Sequence, residues 1–475
     1  MASTPQPFPP AFIPGHAIDE IAFFIADPVA AARFPELRLR YRNDRAAAQV
    51  GLETLSDNAW LDHFGRFEPL PGSLPQPLAL RYHGHQFRVY NPDIGDGRGF
   101  LFAQCRDNAG RLMDFGTKGS GTTPYSRFGD GKLTLKGAVR EILATEMLEA
   151  LNVPTSRTFS VVETGEALHR GDEPSPTRSA VLVRLNHGHI RIGSFQRLAT
   201  LGQAADLERL VAYCLNHYYG EAMGDDGPTR LLGHVAQRTA RMAASFMAAG
   251  FVHGVLNSDN INIAGESFDY GPWRFAPTFD RSFTAAYFDA AGLYAFGRQA
   301  EAIHWDVKQL AVALSDLADA DALAAEIDHF GQSYRDTIVH KMLWRLGVVP
   351  LGAADNTSLV QAMEAALVAS QCPLDDFFFD WRGGDVRRNA ARYATDDFAA
   401  FREAIAAFAP ALGLDHPYWA DAAPCSMLID EVEEIWAEIA DRDDWSTFER
   451  KVAAIRRMGK AHAFPPANGK STIRA

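Results

Sequence analysis

The residues most able to carry chemistry are Asn260 and Asp269, which lie nine residues apart in the segment HGVLNSDNINIAGESFDYG. An amide oxygen and a carboxylate on adjacent loops can hold Mg²⁺ between the phosphates of a nucleotide, because magnesium prefers hard oxygen ligands and takes others from phosphate. Asp259, directly before Asn260, adds a carboxylate that could accept a proton. Asn and Asp also favour turns, so these residues alone leave an ordinary turn as an alternative.

The spacing of this segment follows in part the protein-kinase pattern H-R-D-L-x-x-x-N and D-F-G. His253, Leu256 and Asn260 fall at the corresponding offsets, and D-Y-G replaces D-F-G. At the position of the kinase catalytic aspartate, however, the chain has Val255, which cannot accept a proton from a substrate hydroxyl. The pattern therefore predicts that the metal ligands are retained while the usual base is lost or replaced by Asp259.

A second motif, DIGDGRG at residues 93–99, could bind phosphate through its backbone. Gly95 and Gly97 would let the chain approach a ligand closely, and successive N–H groups can form a concave site for an anion. Arg98 could add a charged contact. A simple hairpin turn is the alternative, since glycine and aspartate are also common in such turns.

Lys118 follows a predicted strand and precedes the run GSGTT, which places it where a kinase holds its phosphate-binding lysine. In a kinase this lysine is paired with a glutamate of the next helix. Two glutamates compete for the role here. Glu146 lies within the apolar stripe of the helix and Glu141 lies off it, so helical periodicity favours Glu146. Either glutamate could instead be a solvated charge.

Charged residues in two other runs could complete an anion site. They are Asp130, next to Gly131 in RFGDGK, and the pair Arg184 and Arg191 in VRLNHGHIR. Arginines seven residues apart on one β-rich segment can flank a phosphate or stack on a base, because guanidinium is planar and offers several donors. Solvent exposure is the alternative for these arginines.

The elements that must position these residues change character along the chain. Residues 86–90 and 100–103 are predicted to pair as a hairpin around the glycine-rich turn, and residues 112–117 form a further strand. Apolar residues at a 3.6-residue period predict a helix over about residues 133–151. Beyond about residue 200 the pattern is mainly helical. A β-rich part followed by a helical part indicates an α+β fold.

Composition excludes several classes of function. The net charge is −13, opposite in sign to that of a general nucleic-acid binder, whose affinity depends on phosphate neutralisation. The four cysteines lie far apart without a CxxC pair, which indicates a reducing compartment and argues against a zinc framework. The sequence opens without a secretory signal, and no apolar run approaches the roughly 20 residues of a membrane span. We therefore expect a cytoplasmic protein with neither nucleic acid nor membrane as a partner.

Four stretches of the chain resemble the selenoprotein O family, whose members are protein adenylyltransferases with a protein-kinase-like fold. HGHQFRVYNPDIGDGRG resembles the family's G-H-Q-F-G-x-W-N-P-x-L-G-D-G-R, and LMDFGTKGSGTTPYSRFGDGK resembles L-K-G-x-G-x-T-P-Y-S-R-x-G-D-G-R. SAVLVRLNHGHIRIGSF resembles V-x-L-R-x-A-x-S-H-I-R-x-G-x-F, and GFVHGVLNSDNINIAGESFDYGP resembles G-F-x-H-G-V-M-N-T-D-N-M-x-I-x-x-x-x-x-D-Y-G-P. The four matches follow one order over about residues 80–290, so the resemblance is specific.

The resemblance implies an α+β, protein-kinase-like bilobal fold with an N-terminal arm and a helical C-terminal extension. We accordingly divide the chain into an arm at residues 1–75, a β-rich N-lobe with one main helix at 76–198, a helical C-lobe at 199–344 and the extension at 345–475. The resemblance also implies the reaction. AMP passes from ATP to Ser, Thr or Tyr hydroxyls of proteins, and pyrophosphate leaves. In this family ATP is bound flipped relative to a kinase, with its γ-phosphate inward.

The resemblance also assigns residues to the nucleotide site. The nucleotide contacts are Gly95, Gly97, Arg98, Lys118, Asp130, Gly131, Glu141, Arg184, Arg191 and Asp269. The family's pattern makes Glu141 the partner of Lys118, whereas helical periodicity favours Glu146. We follow the family's pattern on this point.

The same resemblance makes Asp259 the proton acceptor and Asn260 and Asp269 the ligands of Mg²⁺ or Mn²⁺. ATP and proteins that bear Ser, Thr or Tyr are the expected partners. Two alternatives remain. An ordinary protein kinase is disfavoured by Val255, and an inactive nucleotide-binding scaffold would be expected to lose Asn260 or Asp269, which are both present.

Overall fold

A computed structural model describes residues 12–171, 173–411 and 414–463. The strands are β1 (Ile13–Gly15), β2 (Ala26–Pro28), β3 (Arg38–Arg42), β4 (Leu78–Leu80), β5 (Gly84–Gln86), β6 (Val89–Asn91), β7 (Leu101–Arg106), β8 (Leu112–Lys118), β9 (Leu133–Thr134), β10 (Arg157–Leu168), β11 (Thr177–Asn186), β12 (Phe251–Val252) and β13 (Arg274–Phe275). The α-helices are α1 (Ala22–Ile25), α2 (Asp44–Gln49), α3 (Asp57–Phe64), α4 (Leu135–Ala150), α5 (Ile192–Thr200), α6 (Ala204–Cys214), α7 (Gly227–Ala249), α8 (Gln299–Leu314), α9 (Ala320–Leu346), α10 (Ala353–Ser370), α11 (Leu374–Asp380), α12 (Ala399–Ile405), α13 (Ile429–Arg442) and α14 (Ser446–Ala463).

Nine strands of the described residues form one antiparallel sheet, in which β2, β4, β7, β8, β11, β10 and β3 lie side by side in that order. β1 pairs with β7, and β9 pairs with β11. Successive side chains of a strand point to opposite faces, and both faces are covered here. Val161 and Leu182 belong to the core cluster that contains α4, whereas Val162 and Val181 belong to the cluster around Trp60. The fold is therefore mixed, with an antiparallel sheet and many helices.

The predicted hairpin between residues 86–90 and 100–103 is wrong. Instead β5 pairs with β6, and β7 pairs with β8. Phe87 and Arg88 form the turn between β5 and β6, with φ values of 51° and 64°. This left-handed geometry suits a tight hairpin but is uncommon for bulky residues, so the sequence carried no turn signal at this point.

Helix α4 and strand β8 agree with their predicted positions. α4 begins after Thr134, whose Oγ1 accepts a hydrogen bond from the Gly137 amide at 3.1 Å and so caps the first turn. Most of its residues are buried, because the sheet packs on one side and α13 and α14 pack on another. Every residue of β8 is also buried. Both elements are therefore held in fixed positions by core packing.

The first strands of the chain belong to the main sheet, although the sequence predicted an arm over residues 1–75. β1, β2 and β3 all pair with later strands. Trp60 of α3 stacks on Phe159 with ring centroids 4.8 Å apart, and its Nε1 donates to Ser160 Oγ at 2.9 Å. Residues 1–11 lie outside the described part of the chain. The division of the chain at residue 75 stays a prediction.

Helices make up most of the chain after β11. α7 packs against both α8 and α9, and it ends at Gly250, whose φ of 72° takes the left-handed conformation that favours glycine. Among the described residues, no helix combines the length and the apolar composition needed to cross a membrane. Residues 464–475 of the predicted extension lie outside the described part.

We expect Trp60→Ala to lower the free energy of unfolding by about 3–5 kcal/mol, because it removes a large side chain from a fully buried site. Asn58→Ala changes an exposed position of the same helix and should alter stability by less than about 0.5 kcal/mol. Urea unfolding followed by circular dichroism measures both. Equal midpoints for the two variants would contradict the packing of α3 against β10.

Candidate active site

A cavity of about 710 Å³ lies between loops of the sheet and the segment that follows β12. Its volume suits a nucleotide, since ligand sites typically measure about 300–1,000 Å³. All predicted site residues except Glu141 line it: Gly95, Gly97, Arg98, Lys118, Asp130, Gly131, Arg184, Arg191, Asp259, Asn260 and Asp269. The structure therefore brings together side chains that are far apart in sequence.

Lys118 at the end of β8 forms a buried ion pair with Glu141 of α4. Lys118 Nζ lies 2.6 Å from Glu141 Oε2, and the side chains are 7% and 1% exposed. Lys118 Nζ also lies 3.4 Å from the carbonyl oxygen of Tyr270. Burial lowers the pKa of Lys118, and the charge of Glu141 opposes this change. Although Glu141 does not line the cavity, it fixes the ammonium group that does.

Glu146 faces away from Lys118, so the preference of helical periodicity for this residue is wrong. Its carboxylate accepts hydrogen bonds from Tyr41 Oη at 2.5 Å and from Arg456 Nη2 at 2.6 Å. Five residues correspond to a rotation of about 140° around a helix. Both glutamates are buried, and the apolar stripe could not distinguish them because α4 is covered on more than one side.

Asp269 is held between two buried arginines. Arg184 Nη1 donates to Asp269 Oδ1, and Arg191 Nη1 donates to Oδ2 at 3.0 Å. The Phe268 ring lies 4.9 Å and 4.7 Å from the two guanidinium carbons. Burial opposes ionisation, yet the two arginines and Lys118 hold the pKa of Asp269 well below its usual range. The carboxylate is therefore charged and fixed in orientation.

Asp259 is the second carboxyl group of the cavity, and its environment differs from that of Asp269. Its side chain is buried, and its Oδ1 has no hydrogen-bond partner within the described part of the chain. Burial raises the pKa of Asp259 to about 6, although the charge of Arg191 opposes this change. A carboxyl group with a free oxygen and a pKa near neutrality is suited to accepting a proton.

The β5–β6 hairpin supports the loop that carries Asp259, a role that the sequence did not reveal. The His85 amide donates to Ser258 Oγ at 2.8 Å, and the Phe87 amide donates to an oxygen of the Asn257 side chain at 3.0 Å. A Cβ at Gly84 would lie 2.9 Å from Asp259 Cβ and 3.0 Å from its Oδ1. Only glycine therefore allows the hairpin to approach the carboxyl group this closely.

Asn260 and Asp269 fit a metal ion that is bound mainly by phosphate. Asn260 Nδ2 donates to the Val255 carbonyl oxygen at 3.0 Å, which leaves the amide oxygen available. A carboxylate has about four lone-pair sites, so Asp269 can accept from two arginines and still bind a cation. In the described ranges, no group of three or more His, Cys, Asp or Glu side chains could hold a metal ion. Two protein oxygens suffice for Mg²⁺ when nucleotide and water supply the other ligands.

Gly95 and Gly97 of the DIGDGRG motif pack against Tyr125 and Ser126. A Cβ at Gly95 would lie 2.4 Å from the ring of Tyr125, and one at Gly97 would lie 2.9 Å from the Tyr125 carbonyl oxygen. Ser126 Oγ donates to the Gly97 carbonyl oxygen at 2.5 Å. These glycines are therefore needed for close contact between two loops, which is a requirement additional to any approach of a ligand.

Asp130 and Gly131 occupy the edge of the cavity. Asp130 accepts hydrogen bonds from both terminal nitrogens of Arg170, at 2.9 and 3.1 Å. Burial opposes ionisation, but the hydrogen bonds from Arg170 and from the Lys132 amide lower the pKa of Asp130. Gly131 has φ of 70°, and a Cβ there would lie 2.2 Å from the carbonyl carbon of Gly121. Arg98 also lines this edge.

Asp96 and Tyr82 are among the lining residues that were missed as candidates for the site. Asp96 is half-buried beside Arg191 and accepts a hydrogen bond from the Leu80 amide at 3.0 Å. Partial burial raises its pKa, although the charge of Arg191 opposes this change. The Tyr82 ring lies 4.3 Å from the guanidinium carbon of Arg191. The central aspartate of G-D-G could have indicated Asp96, but nothing in the sequence around Tyr82 distinguishes it from a core aromatic.

Comparison with known proteins adds an independent finding. A family model described as protein adenylyltransferase SelO matches residues 16–402. The protein nucleotidyltransferase YdiU of Synechococcus elongatus is 42% identical over an alignment of 484 positions that covers 96% of each chain. The protein of the same name from Synechocystis sp. is 40% identical over an alignment of 474 positions that covers 93% of this chain and 97% of the relative. The chain therefore belongs to the SelO family of protein adenylyltransferases.

Proposed function

We propose that this chain transfers AMP from ATP to the hydroxyl group of a protein Ser, Thr or Tyr and releases pyrophosphate. The observation that carries the proposal is a single cavity in which the buried Lys118–Glu141 pair and the arginine-held Asp269 meet the carboxyl group of Asp259. Val255 lines the same cavity, at the sequence position of the kinase base. Membership of the SelO family supports the same reaction.

We infer that the fold is protein-kinase-like and bilobal, with lobes at residues 76–198 and 199–344, an arm at 1–75 and an extension at 345–475. The buried ion pair between β8 and α4 supports this inference, since kinases join a strand lysine to a helix glutamate. The succession of a mainly β part and a mainly helical part also supports it. The strands of the arm would then extend the sheet of the first lobe.

The cationic side chains of the cavity set the orientation of the nucleotide in this proposal. They include Arg98, Lys118, Arg184 and Arg191. Such a cluster can hold the β- and γ-phosphates inward, because guanidinium and ammonium groups bind phosphate oxygens strongly in a partly buried site. The α-phosphorus would then lie on the side of Asp259, next to the protein acceptor.

The two carboxyl groups of the cavity have different roles in the proposed reaction. Asn260 and Asp269 would hold Mg²⁺ or Mn²⁺, which when bound neutralises charge on the phosphate oxygens. Asp259 accepts the proton of the acceptor hydroxyl, and its pKa of about 6 leaves it mostly ionised at neutral pH. As the hydroxyl oxygen bonds to the α-phosphorus, the bond from that phosphorus to the bridging oxygen breaks, and pyrophosphate carries away the electron pair.

The partners in this proposal are ATP and proteins that bear a reactive hydroxyl, and the proposed location is the cytoplasm. Each of the four cysteines is free: Cys105, Cys214, Cys372 and Cys425. Free cysteines are typical of a reducing compartment. This observation supports the location without identifying the acceptor proteins.

Two parallel reactions with a generic acceptor protein, one with α-labelled and one with γ-labelled ATP, test the proposed reaction. A kinase attacks the γ-phosphorus and leaves ADP, whereas this proposal requires attack at the α-phosphorus. We expect protein-bound label from α-labelled ATP alone and a mass increase matching AMP. Label from γ-labelled ATP would support the kinase alternative, and no label from either with ATP still bound would support the scaffold.

Lys118→Ala should lower the initial rate of AMP transfer at least about a hundredfold, since one preorganised charge contact contributes about 2.7–4 kcal/mol at a transition state. Glu141→Gln should also lower the rate, because it removes the charge that fixes Lys118. Lys308→Ala, at an exposed lysine outside the cavity, should keep the parent rate. Comparable rates for the Lys118 and Lys308 variants would refute the role of Lys118.

Asp269→Asn should abolish transfer, because it removes the charge from the metal site while leaving an oxygen for the arginines. The transfer rate of this variant should stay low as the Mg²⁺ or Mn²⁺ concentration is raised. Its melting temperature should show that the variant is folded. Asp316→Asn, at an exposed aspartate, is the control and should respond to metal as the parent does. A parent-like metal titration of Asp269→Asn would contradict the assignment.

A further inference from the structure

The two C-terminal helices pack on α4, the helix that carries Glu141. α14 crosses α4 closely at Gly459, where a Cβ would lie 3.2 Å from the Cα of Ala150. α13 and α14 lie after residue 402, where the match to the family model ends. The described part of this region contributes no residue to the lining of the cavity. Its contacts with α4 therefore require an explanation of their own.

The central contact is an ion pair between the buried Glu146 of α4 and the half-buried Arg456 of α14. Arg456 Nε donates to Glu146 Oε2 at 2.9 Å and Nη2 donates to Oε1 at 2.6 Å, which is the bidentate geometry of a strong pair. The Glu146 side chain is 2% exposed, and Tyr41 Oη donates to it as well. Burial opposes ionisation, but Arg456 holds the pKa of Glu146 below its usual value.

A second contact joins the first turns of α4 to α13. Lys136 Nζ lies 2.6 Å from Glu433 Oε2, and Arg140 Nη1 lies 3.8 Å from Glu433 Oε1. Arg140 Nη2 also donates to the carbonyl oxygen of Trp273, which follows Asp269 by four residues, at 3.0 Å. The same helix face therefore contacts both α13 and the segment after the proposed metal ligand.

The turn between α13 and α14 is fixed to the sheet. Asp443 lies 3.0 Å from Arg40 Nη2 of β3 and 2.8 Å from Arg178 Nη2 of β11. The sheet therefore holds the turn at one end of the helix pair. α4 lies between the sheet and this helix pair. A displacement of α13 and α14 would therefore be resisted at three separate places.

We propose that α13 and α14 hold α4 in the position at which Glu141 meets Lys118, with Glu146 and Arg456 as positioning residues for the phosphate-binding lysine. Glu141 and Glu146 are five residues apart, or about 7.5 Å along the helix axis, so a small shift of one is transmitted to the other. Removing Arg456 leaves the buried Glu146 carboxylate with the more exposed Arg45, 3.1 Å away, as its remaining cationic partner. This weaker compensation favours a shift of the helix that brings the carboxylate closer to solvent. The inference rests on the proposed function for its readout in AMP transfer.

The test compares Arg456→Met with Arg457→Met. Arg457 is the next residue of α14, but it pairs with Asp421 instead of α4, with Nη2 3.0 Å from Oδ1. Arg456→Met should lower kcat for AMP transfer by about tenfold at a temperature at which both variants are folded. Arg457→Met should keep the parent kcat, even if its melting temperature falls. Equal kcat values for the two variants would overturn the inference.

A double-mutant cycle distinguishes positioning from general loss of structure. If Arg456 acts through Glu141, Arg456→Met should cause little further loss of kcat in the Glu141→Gln background. Losses that multiply in the double variant would overturn the inference.

The affinity for a non-hydrolysable ATP analogue, measured by calorimetry, provides a readout that needs no transfer. A parent that binds the analogue but transfers no AMP would contradict the proposed function alone. The inference would then be judged by whether Arg456→Met binds the analogue more weakly than Arg457→Met does, and equal affinities would overturn it.

Discussion

The buried ion pair between Lys118 and Glu141 is the contact on which the arrangement of the cavity depends. It joins the end of β8 to α4 at a place from which water is largely excluded. Loss of one partner from such a pair leaves an uncompensated charge, at a cost of about 3–5 kcal/mol. Strand and helix must therefore keep their relative position. Strands β7 and β11 pair with β8, and the two C-terminal helices pack against α4.

The same principle of charge compensation separates the two carboxyl groups of the cavity. Asp269 lies between Arg184 and Arg191 and remains ionised, whereas Asp259 is buried with one oxygen free and has a pKa of about 6. Neighbouring carboxyl groups whose pKa values are pushed apart can take different roles in one reaction. The fixed carboxylate of Asp269 suits the binding of a metal cation together with phosphates. The carboxyl group of Asp259, whose pKa is near neutrality, suits proton transfer.

Sequence could name the residues that line the cavity because most of them stand in short motifs with fixed local spacing. It could not choose between Glu141 and Glu146 by periodicity, since that argument assumes a helix with a single buried face. The β5–β6 hairpin was missed because Phe87 and Arg88 form its turn in place of glycine or asparagine. The requirement for glycine at position 84 was missed as well. It arises because Asp259, which belongs to a distant segment, leaves no room there for a Cβ atom.

The Glu146–Arg456 pair has a consequence for how the chain folds during synthesis. Its two members are separated by 310 residues, so the carboxylate of α4 emerges from the ribosome long before its guanidinium partner. At about 5–20 residues per second, the interval is about 15–60 s. Throughout that time Glu146 can pair with Arg45 and Tyr41, which precede it in the chain, but it lacks its bidentate partner. The nascent sheet and helix are thus less stable than in the finished chain, and their last buried contact forms only when α14 arrives.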